Sequence, residues 1–173
     1  MRNQDMMRLF VDELQDMYSA ENQIIESLPK LIKLASLADL RDALSSHLKE
    51  TENQAARIEK IFSILDLDIK GKHCKAMEGL LKESDDIVKN KSKSPLLDAA
   101  IISAAQKVEH YEIASYGTLR SFAHHLELDS EIIDLIQENL NEEGAADKKL
   151  TKIADGSFFS SGVNKEAVEA KRR

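Results

Sequence analysis

Four long segments of the chain carry apolar residues every three or four positions, which is the period of an amphipathic α-helix. They extend over about residues 5–35, 38–65, 95–126 and 129–154. Pro29 lies inside the first segment and predicts a bend about one turn before it, because proline removes a backbone donor. The pattern therefore predicts four helices that are long enough to form a bundle.

Residues at the segment ends provide signals for where helices start and stop. Asp39 is expected to cap the second helix, and Asp129 or Ser130 the fourth, since their side chains accept backbone N–H groups. Pro95 favours the first turn of the third helix. Gly156 is expected to end the fourth helix.

The connection between the second and third segments has roughly 30 residues, too many for a bare loop in a compact domain. Within it, residues 73–90 (HCKAMEGLLKESDDIVKN) have helical spacing and predict a short extra helix across the bundle. Two helical hairpins joined by a long crossover form an all-α, ferritin-like four-helix bundle. We assign residues 1–156 to this bundle and residues 157–173 to a C-terminal tail that is expected to be partly mobile.

The composition supports this fold and excludes several classes of function. The 173 residues include only two prolines, six glycines and no tryptophan, too few turn and strand formers for a β-sandwich. A net charge of −7 disfavours binding to nucleic acid, and no apolar stretch approaches the ~20 residues of a membrane span. The single cysteine, Cys74, and the lack of a signal-peptide pattern predict a cytoplasmic protein.

Several carboxylates occupy positions where the helical stripe calls for an apolar residue. Glu21 in the first helix, Glu112 in the third, and Glu143 in the fourth fall on the inward face. Asp147 lies on or beside that face, one turn after Glu143. The sequence therefore predicts that acids from three helices point into the bundle.

The second helix is less decisive. Glu50 and Gln54 share a face with His47, about a third of a turn from the leucine stripe. His47 precedes Glu50 by three residues and is a candidate ligand, although di-iron motifs place the glutamate first. His110 is a weaker candidate, because it does not share a face with its neighbour Glu109.

Inward carboxylates need a partner, since burying an unpaired charge costs several kcal/mol. Two divalent metal ions, with one or two carboxylates from each helix, would provide it. The alternative is that the acids are half-buried and paired with lysine, arginine or tyrosine, or that the helical register is shifted by one residue. Both interpretations stay open at this point.

Segments from the whole chain resemble the YciF/YciE family of bacterial stress-response proteins. They are DMYSAENQI, HLKETENQAARIE, HCKAMEGLLKE, DAAIISAAQKVEHYEIASYGTL and LNEEGAADKKL. The resemblance extends from about Asp5 to Ile153 and implies a ferritin-like bundle that is usually dimeric and linked to general or osmotic stress. It also implies a relationship to rubrerythrins and other di-metal carboxylate proteins.

By position, the resemblance implies a metal-facing set of six residues: Glu21, Glu50, Gln54, Glu112, Glu143 and Asp147. The chain departs from the ordinary ferritin pattern at Asn53 and Ala146. These residues stand three positions after Glu50 and Glu143, where histidine is expected. The departure argues against tight di-iron binding.

Two hypotheses follow from the sequence. In the first, the protein is a stress-response protein with one di-metal centre per subunit, of iron or manganese, that handles metal or processes oxygen or peroxide. In the second, it is a metal-free structural or interaction protein whose acids bond to Tyr18, Tyr111, Gln54 and lysine side chains. Both hypotheses predict a homodimer.

Overall fold

The computed structural model describes residues 2–89, 91–157 and 160–170. In these ranges six helices form: α1 Arg2–Leu34, α2 Ala38–Ile64, α3 Lys75–Val88, α4 Pro95–His125, α5 Ser130–Asp155 and α6 Val163–Glu169. Two short strands, β1 Gly156–Ser157 and β2 Ser160–Ser161, pair antiparallel between α5 and α6.

The four long helices confirm the predicted all-α bundle. α1 and α2 form one hairpin and α4 and α5 the other, while α1 also packs on α4 and α2 on α5. The predicted extra helix is α3, which lies within the long connection and packs across α1 and α4. α1 continues through Pro29 and does not end there, and the side chain of this proline is exposed. Among the described helices, none combines the length and apolar character of a membrane span.

The apolar stripes meet along the bundle axis and form one continuous core. Phe10, Leu14 and Met17 of α1, for example, are each at most 1% exposed. Burying one such side chain contributes about 2 kcal/mol, so the core is the main source of stability. The acids described below are exceptions within an otherwise apolar interior.

Most of the predicted start and stop signals act at the positions where we expect them. Asp129 caps α5 and accepts the Glu131 N–H at 2.9 Å. Pro95 occupies the first turn of α4, after the Ser94 cap. Gly156 ends α5 with φ at 82°, a left-handed conformation that favours glycine.

The start of α2 is capped by a residue of a different helix. The N-cap position is Leu37, so the predicted cap at Asp39 is wrong, and Asp39 lies in the first turn instead. The Asp98 carboxylate of α4 accepts the N–H groups of Ser36 at 2.7 Å and Leu37 at 3.0 Å, as well as the Ser36 hydroxyl. Asp98 is buried, so this cap joins the two hairpins of the bundle.

We expect Asp98→Ala to destabilise the protein by about 2 kcal/mol, because it leaves partly buried donors at the start of α2 without an acceptor. Thermal unfolding followed by circular dichroism should show a Tm lower by about 4–8 °C. Asp134→Ala is a matched control, since Asp134 is exposed on α5. A change in Asp98→Ala no larger than in this control would contradict the capping role.

The region assigned to the tail contains an element that the sequence analysis did not predict. α6 packs against α4 and α5, and its residues Val163 and Ala167 are buried. A Cβ atom at Gly162 would lie 2.2 Å from the backbone carbonyl carbon of Asp155, so the chain returns to α5 at a distance that only glycine allows. Residues 158, 159 and 171–173, part of the predicted tail, lie outside the described residues.

Candidate metal centre

Four ligand-type side chains converge in the middle of the bundle. His47 comes from α2, Glu109 and Glu112 come from α4, and Glu143 comes from α5. One potential ligand atom of each lies within 4.8 Å of the others, and all four residues are buried. We refer to these four residues as the inner cluster.

The helical packing explains why these residues meet. Glu109 and Glu112 are three positions apart, so they share one face of α4. α4 contacts α1, α3, α5 and α6, which makes its buried surface much wider than one stripe. α2 packs beside α5, and this brings His47 and Glu143 to the same level of the bundle.

Glu21 of α1 extends the group of buried acids. It is 0% exposed, and its Oε1 accepts the hydroxyl of Tyr116, another fully buried side chain. Its carboxylate interacts electrostatically with Glu143 and Glu112. The centre therefore contains four buried glutamates, contributed by α1, α4 and α5.

Many atoms of this centre have no hydrogen-bond partner among the residues that the structure describes. Both carboxylate oxygens of Glu112 are unpartnered, as is one oxygen each of Glu21, Glu109 and Glu143. Within residues 2–89, 91–157 and 160–170, no lysine or arginine forms an ion pair with any of the four glutamates. The nearest basic group is His47, whose Nε2 lies 3.4 Å from Glu109 Oε1.

Burial changes the acidity of these groups. Desolvation raises the pKa of Glu21 and of Glu112 well above the ordinary value, and the charge of Glu143 adds to the effect. Desolvation also raises the pKa of Glu109, and the neighbouring carboxylate of Glu143 adds to the effect. Such acids are stable in the core only when they hold protons or when a bound cation neutralises their charge. With neither protons nor a cation, the buried carboxylates would strongly destabilise the folded protein.

The structure brings four of the six predicted residues into this centre and leaves two at its edge. The buried four are Glu21, Gln54, Glu112 and Glu143. Glu50 is 38% exposed at its side chain, with Oε2 lying 3.8 Å from His47 Nδ1. Asp147 accepts Gln106 Nε2 at 3.0 Å and lies 3.3 Å from the exposed His110. Their role as metal ligands stays a prediction.

Gln54 is connected to the centre by a hydrogen bond to Glu143. Its Nε2 donates to Glu143 Oε1 and, at 3.0 Å, to Glu142 Oε2, while its own Oε1 is buried without a partner. Gln54 thus orients Glu143 and leaves a carbonyl oxygen available inside the bundle.

Glu109 is a member of the inner cluster that is absent from the predicted set. The signal that identifies it is its position three residues before Glu112, on the same face of α4. His47 has a comparable signal, three residues before Glu50, and the structure places it closer to Glu109 than to Glu50. The histidine that the structure places beside the acids therefore precedes the α2 acid by three residues, whereas the di-iron motif places a histidine after it.

The sequence and the structure of this chain are similar to those of known proteins. The family described as "Domain of unknown function (DUF892)" matches residues 5–167. Protein YciF of Escherichia coli K12 is 44% identical over 158 residues, which cover 91% of this chain and 95% of YciF. The crystal structure of YciF, described as an E. coli stress protein, superposes with a TM-score of 0.81 over 85% of this chain and 92% of that chain.

Two further solved structures share the fold. YcfI from Rhodopseudomonas palustris, provisionally described as a structural protein, is 44% identical and has a TM-score of 0.82. The match covers 86% of this chain and 94% of YcfI. A protein from Xanthomonas campestris pv. campestris is 18% identical and has a TM-score of 0.73, over 98% of this chain and 99% of its own, which shows the fold alone.

Proposed function

The chain belongs to the DUF892 family, a group that includes the E. coli stress protein YciF, and we propose that its bundle holds a pair of divalent metal ions, iron or manganese, for a stress response. One observation carries this proposal. Glu21, Glu109, Glu112 and Glu143 are gathered in an apolar core with unpartnered oxygens and no lysine or arginine partner among the described residues. Four ionised carboxylates carry the charge that two divalent cations neutralise.

The donor set fits such a pair. Carboxylate oxygens together with one imidazole suit manganese and iron, whereas thiolate-rich sites select softer metals. The inner cluster supplies ligands for one ion, and Glu21 and the free Gln54 carbonyl are available for a second. Glu112 would be one of the ligands, because neither of its oxygens accepts from a donor group among the described residues.

A bound pair of iron or manganese ions would supply redox chemistry toward oxygen or peroxide. The chain's own contribution is to orient the ligands and to exclude bulk water. Tyr116 holds one oxygen of Glu21, Gln54 holds one oxygen of Glu143, and the surrounding core keeps the site dry.

A metal-free structural protein is the second candidate, and the bonds from Tyr116 to Glu21 and from Gln54 to Glu143 favour it. The other partners expected under this hypothesis are wrong. Tyr18 donates to Glu59 at 2.6 Å and Tyr111 donates to Asp16 at 2.9 Å, so neither tyrosine reaches an inward acid. Glu112 accepts no hydrogen bond from a lysine, arginine, tyrosine or amide group among the described residues and lies beside another acid, Glu21, which favours the metal centre instead. The homodimer and the cytoplasmic location stay predictions under both candidates.

Metal content distinguishes the two candidates. Protein stripped with a chelator and then incubated with Mn²⁺, or with Fe²⁺ under anaerobic conditions, is expected to retain about two ions per chain after desalting. The variant Glu21→Ala plus Glu112→Ala should lose them, whereas Glu26→Ala plus Glu52→Ala, which changes exposed acids of α1 and α2, should retain them. Elemental analysis that finds no retained metal in the wild-type protein would overturn the proposal.

A further inference from the structure

A cleft between α2 and α5 connects the inner cluster with the protein surface. Its cavity volume is about 130 Å³. His47 and Glu109 line its buried end. Its outer end is lined by Glu50 and Ala146, which are partly exposed, and by Lys149, which is exposed. The cleft is therefore a route between solvent and two members of the cluster.

Three ligand-type side chains follow one another along this cleft. Exposure of the side chain falls from 38% at Glu50 to 6% at His47 and 2% at Glu109. Glu50 Oε2 lies 3.8 Å from His47 Nδ1, and His47 Nε2 lies 3.4 Å from Glu109 Oε1. Within the described part of the chain, neither nitrogen of the buried His47 ring makes a hydrogen bond, so both can contact a ligand.

Three other cavities lined by described residues do not provide an equivalent route. Those of about 630 and 490 Å³ are larger, but no residue of the inner cluster lines them. A cavity of about 20 Å³ beneath α3 reaches His47 and Glu109, yet its walls are mostly apolar and it has room for about one water molecule. Of the four cavities, therefore, only the cleft between α2 and α5 offers a hydrated cation a polar path to the inner cluster.

The charges at the rim indicate which residue a cation meets first. Arg57 neutralises Glu142 through contacts of 2.8 and 2.9 Å. Glu50 Oε1 accepts the Ser46 hydroxyl at 3.3 Å and its Oε2 lies 3.8 Å from His47 Nδ1. No lysine or arginine among the described residues comes within 4 Å of the Glu50 carboxylate, although Lys149 is near it. Glu50 is thus the rim carboxylate that is available to an incoming cation.

We propose that the α2/α5 cleft is the entrance for divalent cations, and that Glu50, His47 and Glu109 pass the ion inward in that order. This inference rests on the proposed metal centre. It makes Glu50 a transient ligand during loading, whereas His47 and Glu109 belong to the final site. The driving force is the affinity of the buried carboxylates for the cation, which displaces their protons as it binds.

The test is the rate of Mn²⁺ loading into chelator-stripped, full-length protein, followed by the loss of the free Mn²⁺ signal in stopped-flow electron paramagnetic resonance. Glu50→Gln removes the rim charge at constant size, and Ala146→Leu narrows the cleft. Each is expected to slow loading by about tenfold and to leave the final metal content unchanged. Glu52→Gln and Ala56→Leu, at exposed positions of α2, are matched controls and should load like the wild-type protein.

Three results would overturn the inference. If both cleft variants load as fast as their controls, cations enter elsewhere, although the metal centre stands. If Glu50→Gln lowers the final metal content, Glu50 is a permanent ligand and the relay is wrong. If the wild-type protein takes up no metal even after long incubation, the metal centre itself is wrong and the relay fails with it.

Discussion

Glu112→Gln is expected to make the metal-free protein more stable and at the same time insensitive to metal. The substitution keeps the shape of a side chain that is 0% exposed and replaces a buried acid, whose pKa is raised well above the ordinary value, with a neutral amide. We expect the free energy of unfolding at neutral pH to rise by about 1–2 kcal/mol, because the folded protein no longer has to keep a buried acid protonated at a pH where the unfolded chain ionises it. The wild-type protein should gain about 4 kcal/mol when Mn²⁺ is present at a thousand times its Kd, and the variant should gain almost nothing.

Urea unfolding in chelator and in excess Mn²⁺ measures both effects on the same protein. Glu52→Gln, at an exposed position of α2, should match the wild-type protein in both conditions. The opposite pattern, a less stable metal-free variant and no stabilisation of the wild-type protein by Mn²⁺, would show that Glu112 has a structural role. The experiment thus separates a ligand from a hydrogen-bonded core residue.

The architecture was predictable because it follows from local periodicity. The four apolar stripes place the long helices to within a few residues, and the excess length of the connection predicts α3. The cap of α2 was not predictable, because it comes from Asp98, more than 60 residues away in the sequence. Likewise, α6 is too short to have a pattern of its own and is stabilised by packing against α4 and α5.

The candidate centre was predictable in part for the same reason. Glu21, Glu112 and Glu143 interrupt apolar stripes, so periodicity alone marks them as inward residues, and all three are buried. Glu109 does not lie on the apolar stripe, so periodicity does not mark it as an inward residue. It is buried because α4 is in contact with four other helices, which cover more than one face of it. The position of His47 depends on how α2 packs against α5, which is tertiary information.

Without metal, the stability of the protein is expected to fall as the pH rises. Burial raises the pKa of Glu21, Glu109 and Glu112 in the folded state above the ordinary value of 4.5 that applies to the unfolded chain. Between these values the folded protein binds more protons than the unfolded chain, so raising the pH favours unfolding. Each extra proton that stays bound to the folded state costs about 1.4 kcal/mol of stability per pH unit.

Metal should reverse this dependence, because cations bind to the deprotonated carboxylates and compete with protons. Urea unfolding at pH 5, 6, 7 and 8 is expected to give a falling free energy of unfolding in chelator and a growing stabilisation by Mn²⁺ across the same range. Glu109→Gln plus Glu112→Gln removes two of the responsible groups, so its metal-free stability should depend much less on pH. A wild-type protein whose metal-free stability rises from pH 5 to 8 would show that these acids find cationic partners within the protein, and the case for a metal centre would lose its electrostatic basis.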